Sequence, residues 1–260
     1  MKITIFSSNQ PRHLNLVNEF SKLSDEVYFI CEVNTVFPGQ IEDFYKKTKT
    51  MQTYFNRVIK SEKNIFGDVT FSNQNVKTLS IKSGDLNNLT ISQLKCSLES
   101  DLYIVFGSSY IKGWLVDFLI EQKAINIHMG LSPYYRGSSC NFWALYDRNP
   151  EYGGATIHYL SKGLDSGEIL FHCVPKPIET EDIFNFSMRS VEVAQKSLIE
   201  VISEKNIFSL DTLKQDNTKE IRYSKIKDFT DSIANEFLSR DEELVFKDFS
   251  YPELFHQKIK

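Results

Sequence analysis

Short apolar segments alternate with amphipathic segments over the first 130 residues, and this alternation is the strongest constraint on the fold. Residues 2–7 are predicted to form a buried strand, followed by the polar turn "SSNQPRH". The next segment, "LNLVNEFSKL", predicts a helix, since its apolar residues recur at helical spacing: Leu14, Val17, Phe20 and Leu23. "EVYFICEV" (26–33) predicts a second strand.

The same alternation returns further along the chain. Residues 102–106 predict a strand, followed by a Gly-Ser turn and a helix, and "KAINIHM" (123–129) predicts the next strand. Residues 34–78 are polar and ambiguous, with a long helix expected around 40–60. Strands that alternate with helices favour an α/β fold, a Rossmann-like and mostly parallel sheet with helices on both faces.

After residue 150 the pattern changes. "GGATIHYL" (153–160) and "GEILFHCVPKPI" (167–178) predict an antiparallel pair at the edge of the sheet. Residues 181–206 predict a long amphipathic helix, whose apolar face includes Phe184, Met188, Val191, Leu198 and Ile202. We therefore expect a domain over 1–205 and a small C-terminal region over 206–260, in which "LKQDNTKEIRYSKI" could form a hairpin at a dimer interface.

Charge and cysteine content argue against several classes of protein. The net charge of −4 gives no basic field for binding nucleic acid. The four cysteines show neither metal-ligand spacing nor a secreted disulfide framework: Cys31, Cys96, Cys140 and Cys173. The first apolar run ends after Phe6, which is too short for a signal peptide or a membrane span. These features predict a cytoplasmic protein without a metal site.

Three polar segments follow predicted parallel strands: "SSNQPRH", "GSSYIKG" and "NIHMG". In open parallel sheets, ligands bind at the carboxyl ends of the strands, so these segments are expected to meet at one edge. None of them is a phosphate loop of the G-x-G-x-x-G or Walker type. A dinucleotide or nucleoside triphosphate site is therefore not favoured.

Asn126 and His128 share one face of a predicted strand, because successive side chains on a strand alternate. An imidazole can act as a general acid or base near neutral pH, and an amide can donate to a developing oxyanion. Asp165, in "SKGLDSGEIL", could orient the imidazole. Taken singly, a strand histidine is more often structural and an Asp beside Gly is more often a turn residue. His158 and His172 are expected at packing or surface positions.

The ordered combination of these motifs resembles a known family. "N-x-H", "L-x-P-x-Y-R-G", "W-A", "G-A-T-I-H" and "L-D-S-G-E-I-L" follow one another between residues 124 and about 172. This order is similar to that of the formyltransferases that use N10-formyltetrahydrofolate, which include the glycinamide ribonucleotide and methionyl-tRNA enzymes. The resemblance extends loosely over residues 1–200.

The resemblance implies a catalytic trio of Asn126, His128 and Asp165, with no metal. It also implies that the folate pterin enters an apolar slot beside a loop that contains the predicted cofactor-binding residues Ser109, Tyr110, Ile111 and Lys112. Plain core packing is the alternative for Tyr110 and Ile111.

Departures from the family pattern suggest which acceptor is used. Met129-Gly130 and "SSCN" replace residues common in the housekeeping enzymes, and the C-terminal remainder is short and acidic. The chain best resembles the sugar N-formyltransferases, which act on nucleotide-linked amino-dideoxy sugars for bacterial lipopolysaccharide and O-antigen, and several of which form homodimers. We expect a GDP-linked 4-amino sugar such as GDP-perosamine, with a dTDP-linked sugar as the other possibility. A formyltetrahydrofolate hydrolase, a formyltransferase for another amine and a non-catalytic binding module remain open alternatives.

Two further groups of residues are candidates for binding the nucleotide sugar. Asn9, Arg12 and His13 lie at the start of the first helix, where a cation and a helix N-terminus would suit a diphosphate; an ordinary capping turn is the alternative. The second group offers stacking surfaces and a cation, or else forms wall and core: Tyr134, Tyr135, Arg136 and Trp143.

Overall fold

Strands and helices alternate through the first half of the chain in the computed structural model, which describes residues 1–33, 48–240, 244–245 and 250–260. The elements of this half are β1 (Lys2–Ser8), α1 (Pro11–Ser21), β2 (Glu26–Val33), α2 (Lys49–Phe66), β3 (Val76–Lys82), α3 (Ile91–Leu94), β4 (Leu102–Val105), α4 (Trp114–Glu121) and β5 (Ile125–His128). The helix expected around 40–60 begins at Lys49 in the described chain, and residues 40–47 lie outside the described residues.

The second half mixes strands and helices less regularly. Its elements are β6 (Tyr135–Gly137), α5 (Cys140–Tyr146), β7 (Ala155–Tyr159), β8 (Ile169–Val174), β9 (Thr180–Glu181), α6 (Ile183–Glu204), β10 (Arg222–Ser224), α7 (Asp231–Ser239), β11 (Leu244–Val245) and β12 (Lys258–Ile259). The long amphipathic helix predicted for 181–206 is confirmed as α6, which Asp182 caps by accepting from the first-turn amides of Phe184 and Asn185.

Eight strands of the described residues form the central sheet, in the order β12-β8-β7-β5-β4-β1-β2-β3. The neighbours from β3 to β5 pair in parallel, whereas β7 runs antiparallel to both β5 and β8. The predicted α/β class, with a mostly parallel sheet and an antiparallel part, is therefore confirmed. Because β1, β4 and β5 are parallel, their carboxyl ends meet at the same edge of the sheet.

Alternate residues of the central strands supply two different cores. Ile3 and Ile5 of β1 pack with α1 and α6 on one face, while Phe6 packs with α4 on the other. Strands that are buried on both faces are characteristic of parallel sheets covered by helices. Helices therefore lie on both sides of the sheet, as the alternation predicts.

A third, aromatic-rich cluster lies beneath residues 131–145. It combines the side chains of α5 with those of the first turn of α6 and of α7, including Tyr135, Trp143, Phe184 and Phe237. The described part of the C-terminal region thus packs against the rest of the chain through α7, and β12 joins the central sheet beside β8. No described helix has a stretch apolar and long enough to cross a membrane.

Two elements differ from the expectations. The interpretation of 213–226 as a hairpin is wrong: Leu213 bridges Ile169, and Arg222–Ser224 pair in parallel with β6. The sequence also gave no prediction for β3, which is the outer strand beside β2. Its segment "VKTLSIK" is mostly exposed and alternates polar with apolar residues, so it lacks the continuous apolar run of the inner strands.

Candidate active site

His128 ends β5 at the carboxyl edge of the sheet and is buried, with 6% of its surface exposed. The chain then turns at Gly130, where a Cβ atom would lie 2.8 Å from Nε2 of His128 and 2.4 Å from Cβ of Cys140. A glycine is therefore required by the close approach of the backbone to the imidazole. Asn126, on the same face of the strand, is partly buried.

Asp165 lies in the loop between β7 and β8, and its Oδ1 is 3.2 Å from Nδ1 of His128. Oδ2 of the same carboxylate accepts from the backbone N–H of Gly137 at 3.3 Å. Burial opposes the charged imidazole, but the contacts with Asp165 and, after it, Cys140 together outweigh burial and raise the pKa of His128 well above its usual value. Burial likewise opposes the charged carboxylate, yet His128 lowers the pKa of Asp165. The two side chains form a buried ion pair at neutral pH.

The second nitrogen of His128 supports the same protonation state. Nε2 lies 3.3 Å from the carbonyl oxygen of Tyr135, which can only accept a hydrogen bond. A doubly protonated ring can therefore donate to Asp165 on one side and to Tyr135 on the other. The imidazolium form satisfies both of these contacts.

His158 lies in the site, although the sequence suggested a packing or surface position. It faces Asn126 across the β5–β7 pair, and Nδ2 of Asn126 is 3.0 Å from its Nε2. Nδ1 of His158 is 2.8 Å from its neighbour's carbonyl, that of Tyr159, so Nδ1 carries the proton and Nε2 accepts from the amide. Burial lowers the pKa of His158 to about 4, which keeps the ring neutral. The N-x-H motif and the antiparallel pairing were both predicted, but the register that joins them was not.

The loop after β4 carries the four residues predicted to bind the formyl donor. Ser109 donates to the buried carboxylate of Glu32 through its backbone N–H at 2.5 Å and its hydroxyl at 2.8 Å. The backbone N–H of Gly84 donates to Glu32 as well, at 2.8 Å. Glu32, near the end of β2, therefore joins two loops at the carboxyl edge, a role that no pattern in the sequence indicates.

Tyr110 and Ile111 occupy different environments within this loop. The ring of Tyr110 is 53% exposed, and its hydroxyl donates to the carbonyl of Lys162 in the Asp165 loop at 2.5 Å. The side chain of Ile111 is buried in the core beside α4, so the packing alternative describes it. Lys112 is exposed, and its backbone N–H donates to Oδ1 of Asn87.

Glu62 occupies the N-terminus of α1, where the sequence suggested a diphosphate. Its Oε1 accepts from the guanidinium of Arg12 at 2.7 Å and from the backbone N–H of Arg12 at 3.2 Å. The Glu62 carboxylate thus already pairs with the guanidinium of Arg12 and accepts from its backbone N–H, the two groups that a phosphate would need here. The structure favours the capping alternative here, with an acidic residue from α2 as the partner. Asn9 is partly buried at the end of β1.

His13 does not present a cation to the surface, which corrects its assignment to an anion site. The ring is 2% exposed, stacks on Phe106 at 4.6 Å between centroids, and lies 2.6 Å from the hydroxyl of Ser7. Burial lowers the pKa of His13 well below its usual value. A neutral, stacked imidazole in the core has no charge to offer a phosphate.

The aromatic candidates for stacking are buried as well. Tyr134, Tyr135 and Trp143 belong to the aromatic cluster and are each less than a tenth exposed. The hydroxyl of Tyr135 contacts Asp147, and burial raises the pKa of Tyr135 to about 12. The wall or core alternative therefore describes these three rings. Arg136 is partly buried and donates to protein partners on the Asp165 loop and in the C-terminal region.

The site thus combines a buried imidazolium–carboxylate pair with an amide whose orientation a second, neutral histidine sets. No group of three or more His, Cys, Asp or Glu residues within the described ranges is arranged to hold a metal ion. A cationic ring beside an amide donor suits a reaction in which negative charge develops on an oxygen, as in acyl transfer. Fold and site define an α/β protein built for group transfer at the carboxyl edge of its sheet.

The chain belongs to the formyl transferase family, whose model matches residues 1–202. Among curated proteins, it is 37% identical over 99 residues to the methionyl-tRNA formyltransferase of Caldicellulosiruptor saccharolyticus, covering 38% of this chain and 31% of that protein. It is 29% identical over 98 residues to the mitochondrial formyltetrahydrofolate deformylase 2 of Arabidopsis thaliana, covering 38% and 28%. The chain thus spans only about a third of the length of these relatives.

Solved structures match over more of the chain. A 4-N formyltransferase from Francisella tularensis superimposes with a TM-score of 0.54 at 18% identity, covering 88% of this chain and 77% of that one. An N-formyltransferase from Helicobacter canadensis, solved with folinic acid and dTDP-3-aminofucose, gives a TM-score of 0.50 at 14% identity, covering 91% and 79%. At these identities the likeness shows the fold.

Proposed function

We propose that this protein transfers the formyl group of N10-formyltetrahydrofolate to the amine of a nucleotide-linked amino-dideoxy sugar. The observation that carries the proposal is the buried pair of His128 and Asp165 beside Asn126, at the carboxyl edge of the sheet. Membership of the formyl transferase family supports the reaction class. The catalytic assignment of these three residues is part of the proposal.

Formyl transfer requires a proton to leave one nitrogen and another to reach the second. The amine attacks the formyl carbon, a C–N bond forms, and the carbonyl electron pair moves onto oxygen. The oxyanion then collapses, the bond to N10 breaks, and N10 takes a proton while the attacking nitrogen loses one. His128 is held protonated by Asp165 through Nδ1, and its Nε2–H, whose contact with the Tyr135 carbonyl is long at 3.3 Å, is shared with the oxyanion. This Nε2 proton then passes to N10, and Nε2 recovers a proton from the amine. Such acid–base catalysis is typically worth about 10²–10⁴ in rate.

Asn126 serves as an uncharged donor to the same oxygen. Its Nδ2 carries two hydrogens, and one of them is directed at Nε2 of His158. The second hydrogen of Nδ2 can donate to the oxyanion. The amide cannot rotate without breaking its hydrogen bond to His158, so the direction of this donor is fixed. A fixed donor contributes about 3 kcal/mol to stabilising an oxyanion when it is well aimed.

The donor site is proposed at the loop of Ser109 to Lys112. Protein partners hold the backbone N–H of Ser109, the carbonyl of Tyr110 and the N–H of Lys112. This fixes the shape of the loop around Ile111, whose side chain is buried in the core beside α4. We propose that the loop held in this shape recognises one edge of the pterin. The exposed ring of Tyr110, tied to the Asp165 loop, would form one wall of the slot.

A nucleotide sugar is the favoured acceptor because the solved formyltransferases that resemble this chain over about nine tenths of its length include one in complex with dTDP-3-aminofucose. The net charge of −4 and the acidic remainder do not suit a tRNA acceptor. Within this class we propose a GDP-linked 4-amino sugar such as GDP-perosamine, with a dTDP-linked sugar as the alternative, for O-antigen synthesis by a cytoplasmic homodimer.

Mass spectrometry of the products tests the proposal. Purified protein is given N10-formyltetrahydrofolate and a panel of GDP- and dTDP-linked 3- and 4-amino-dideoxy sugars, and one sugar should become heavier by one formyl group. A thermal-shift screen against free nucleotides should identify the same carrier, because a ligand that binds only the folded state stabilises it. Failure to formylate any sugar of the panel would contradict the acceptor class.

A formyltetrahydrofolate hydrolase is the second candidate, and the similarity to the Arabidopsis deformylase favours it. In that reaction water replaces the amine, and His128 and Asp165 would act on the same oxyanion. Release of formate without any acceptor would identify the hydrolase, whereas strict dependence of turnover on an amine would exclude it.

A further inference from the structure

The loop that carries Asp165 is bound from outside by residues of the C-terminal region. Nε2 of Gln215 donates to the carbonyl oxygens of Asp165 and Gly167, each at 2.8 Å. Only the amide nitrogen can donate to two carbonyls at once, so the orientation of this side chain follows from its partners. Gln215 thus clamps the backbone on both sides of Ser166.

Arg136 holds the same loop one residue earlier. Its Nη2 donates to the carbonyl of Leu164 at 3.1 Å. Its Nη1 donates to Oδ1 of Asn217 at 2.9 Å and to Oε2 of Glu220 at 3.1 Å. The guanidinium, predicted from the sequence to bind substrate, is therefore engaged between the Asp165 loop and the C-terminal region.

Residues 212–224, which we call the brace segment, are themselves anchored at both ends. Leu213 exchanges two backbone hydrogen bonds with Ile169 of β8, at 2.8 and 2.9 Å. At the other end, β10 pairs with β6, and Ser224 lies so close to Gly137 that a Cβ there would be 2.0 Å from its carbonyl oxygen. The brace segment begins ten residues beyond the family match, which ends at 202.

Asp165 needs such support because its backbone is in the left-handed region, with φ of +49°. Few residues other than glycine adopt this conformation, and it persists where the surrounding structure holds it. The carboxylate reaches His128 only while the loop keeps this shape. The contacts that Gln215 and Arg136 make with the loop are all to its backbone carbonyls, so they act on its shape rather than on the carboxylate.

We propose that Gln215 and Arg136 are positioning residues that hold the Asp165 loop, so that the brace segment controls the pairing of Asp165 with His128. The role in turnover rests on the proposed function. Neither side chain is assigned to the substrate; each acts through the loop.

Substituting Gln215→Ala removes both donors and tests the proposal. We expect kcat to fall about tenfold or more, the scale of a small misplacement in a site, with KM for the sugar unchanged. Lys214→Ala is the matched control, since Lys214 is the exposed neighbour in the same segment, and it should leave kcat unchanged. Gln215→Glu keeps the size but cannot donate to both carbonyls, and it should match Gln215→Ala.

Variants of Arg136 distinguish a role in positioning the Asp165 loop from a role in binding the substrate. Arg136→Ala should lower kcat with little change in KM, and Arg136→Lys, which retains one donor on a flexible chain, should recover part of the loss. If Arg136 instead binds the diphosphate, KM for the nucleotide sugar rises and kcat changes little, which would overturn its positioning role.

Titration of the His128 ring by NMR gives a readout that does not depend on turnover. Weaker pairing with Asp165 should lower the pKa of His128 in Gln215→Ala, while its other polar neighbours, Cys140 of α5 and His158 of β7, are unchanged. An unchanged pKa of His128 in a folded variant, judged by circular dichroism, would overturn the brace. If the wild-type protein formylates no amine, the proposed function fails while this comparison still decides the brace.

Discussion

The side-chain amide of Asn126 donates to Nε2 of His158 across the β5–β7 pair, at 3.0 Å. Nε2 of His158 can accept this hydrogen bond because the ring proton is on Nδ1, which donates to the carbonyl of Tyr159, and because burial keeps the ring neutral. The orientation of a proposed oxyanion donor thus depends on a histidine that need not touch the substrate. Nε2 of His158 is also 4.0 Å from the carboxylate of Asp165, so this ring lies between the amide and the ion pair.

Replacing His158 with leucine should therefore lower kcat about tenfold, because the Asn126 amide loses the bond that fixes it. In His158→Gln, the side-chain oxygen takes the place of Nε2 and can accept from Asn126, so most of the activity should return. Steady-state kinetics on both variants measure the difference. Equal losses in the two variants would show that the ring, and not the acceptor, is what the site requires.

The pH dependence of turnover should follow His128. Its pKa lies well above 6.5 in the folded protein, so the active imidazolium persists through neutral pH and kcat falls only as the pH rises through that pKa. In Asp165→Asn the opposing effect of burial remains while the counter-charge is lost, so the pKa of His128 falls and the alkaline limb moves to lower pH. We expect kcat near pH 7 to fall about 10²- to 10⁴-fold.

Profiles of kcat against pH for the wild type and Asp165→Asn check the direction in which the alkaline limb moves. An alkaline limb that stayed in place or moved to higher pH would mean that a group other than His128 sets it, and a kcat that rose with pH would mean that His128 acts in its neutral form. Asp68→Asn, at an exposed carboxylate that pairs with Lys63 after α2, is a suitable control, because it changes the same charge elsewhere.

Glu32 should govern affinity for the formyl donor. Glu32→Ala leaves the N–H groups of Ser109 and Gly84 without their acceptor, and a buried unpaired group costs about 1–3 kcal/mol. The loop of Ser109 to Lys112 should loosen, and KM for N10-formyltetrahydrofolate should rise about tenfold, which corresponds to 1.4 kcal/mol. Initial rates at varied donor concentration measure this.

Two controls accompany this experiment. Ser109→Ala removes one hydroxyl and leaves the backbone bond to Glu32, so its effect on KM should be smaller. Glu26→Gln changes a carboxylate at the other end of β2 and should leave KM unchanged. If kcat falls and KM for the donor stays constant in Glu32→Ala, the loop does not bind the donor.

Local patterns predicted most of the sheet and half of the site. Period-two spacing placed Asn126 and His128 on one face, and the rule for parallel sheets placed them at the carboxyl edge. Both of these inferences use only residues that are close together in the sequence. The antiparallel pair was also predicted, because each strand carries its own pattern and the loop between them is short.

The contact of Asp165 with His128 was expected only because of the family resemblance, and other contacts between distant segments could not be predicted. Glu62 caps Arg12 from fifty positions away, and the sequence shows only a cation at a helix start, which suits an external anion equally well. The pairing of Asn126 with His158 depends on strand register, which alternation alone does not specify. The brace segment reads as a hairpin because its turn residues and short apolar runs fit one, whereas its actual partners are β6 and β8.

Buried neutral histidines should make the protein unstable in acid. His172 has both nitrogens in use: Nε2 donates to the carbonyl of Ser132 at 2.8 Å, and Nδ1 accepts from the backbone N–H of Phe255 at 2.9 Å. Burial lowers its pKa to about 4, below the unfolded value near 6.5, so the unfolded chain binds a proton first and stability falls as the pH drops through this interval. At 1.36 kcal/mol for each pKa unit, the contribution of His172 amounts to about 3 kcal/mol. His13 and His158 act with the same sign.

Urea denaturation between about pH 7 and pH 4 measures this loss. In His172→Asn, the side-chain oxygen can still accept from Phe255, but the residue no longer titrates, so the free energy of unfolding should decline less steeply with acid, by up to about 3 kcal/mol over the range. The variant is expected to be less stable than the wild type at pH 7, because it loses ring packing and the bond to Ser132. The slope of the free energy of unfolding against pH, and not its value at pH 7, is therefore the quantity to compare between the two proteins. Parallel curves for the two proteins would mean that the pKa of His172 is not lowered in the folded protein, and the assignment of the acid sensitivity to this buried ring would be rejected.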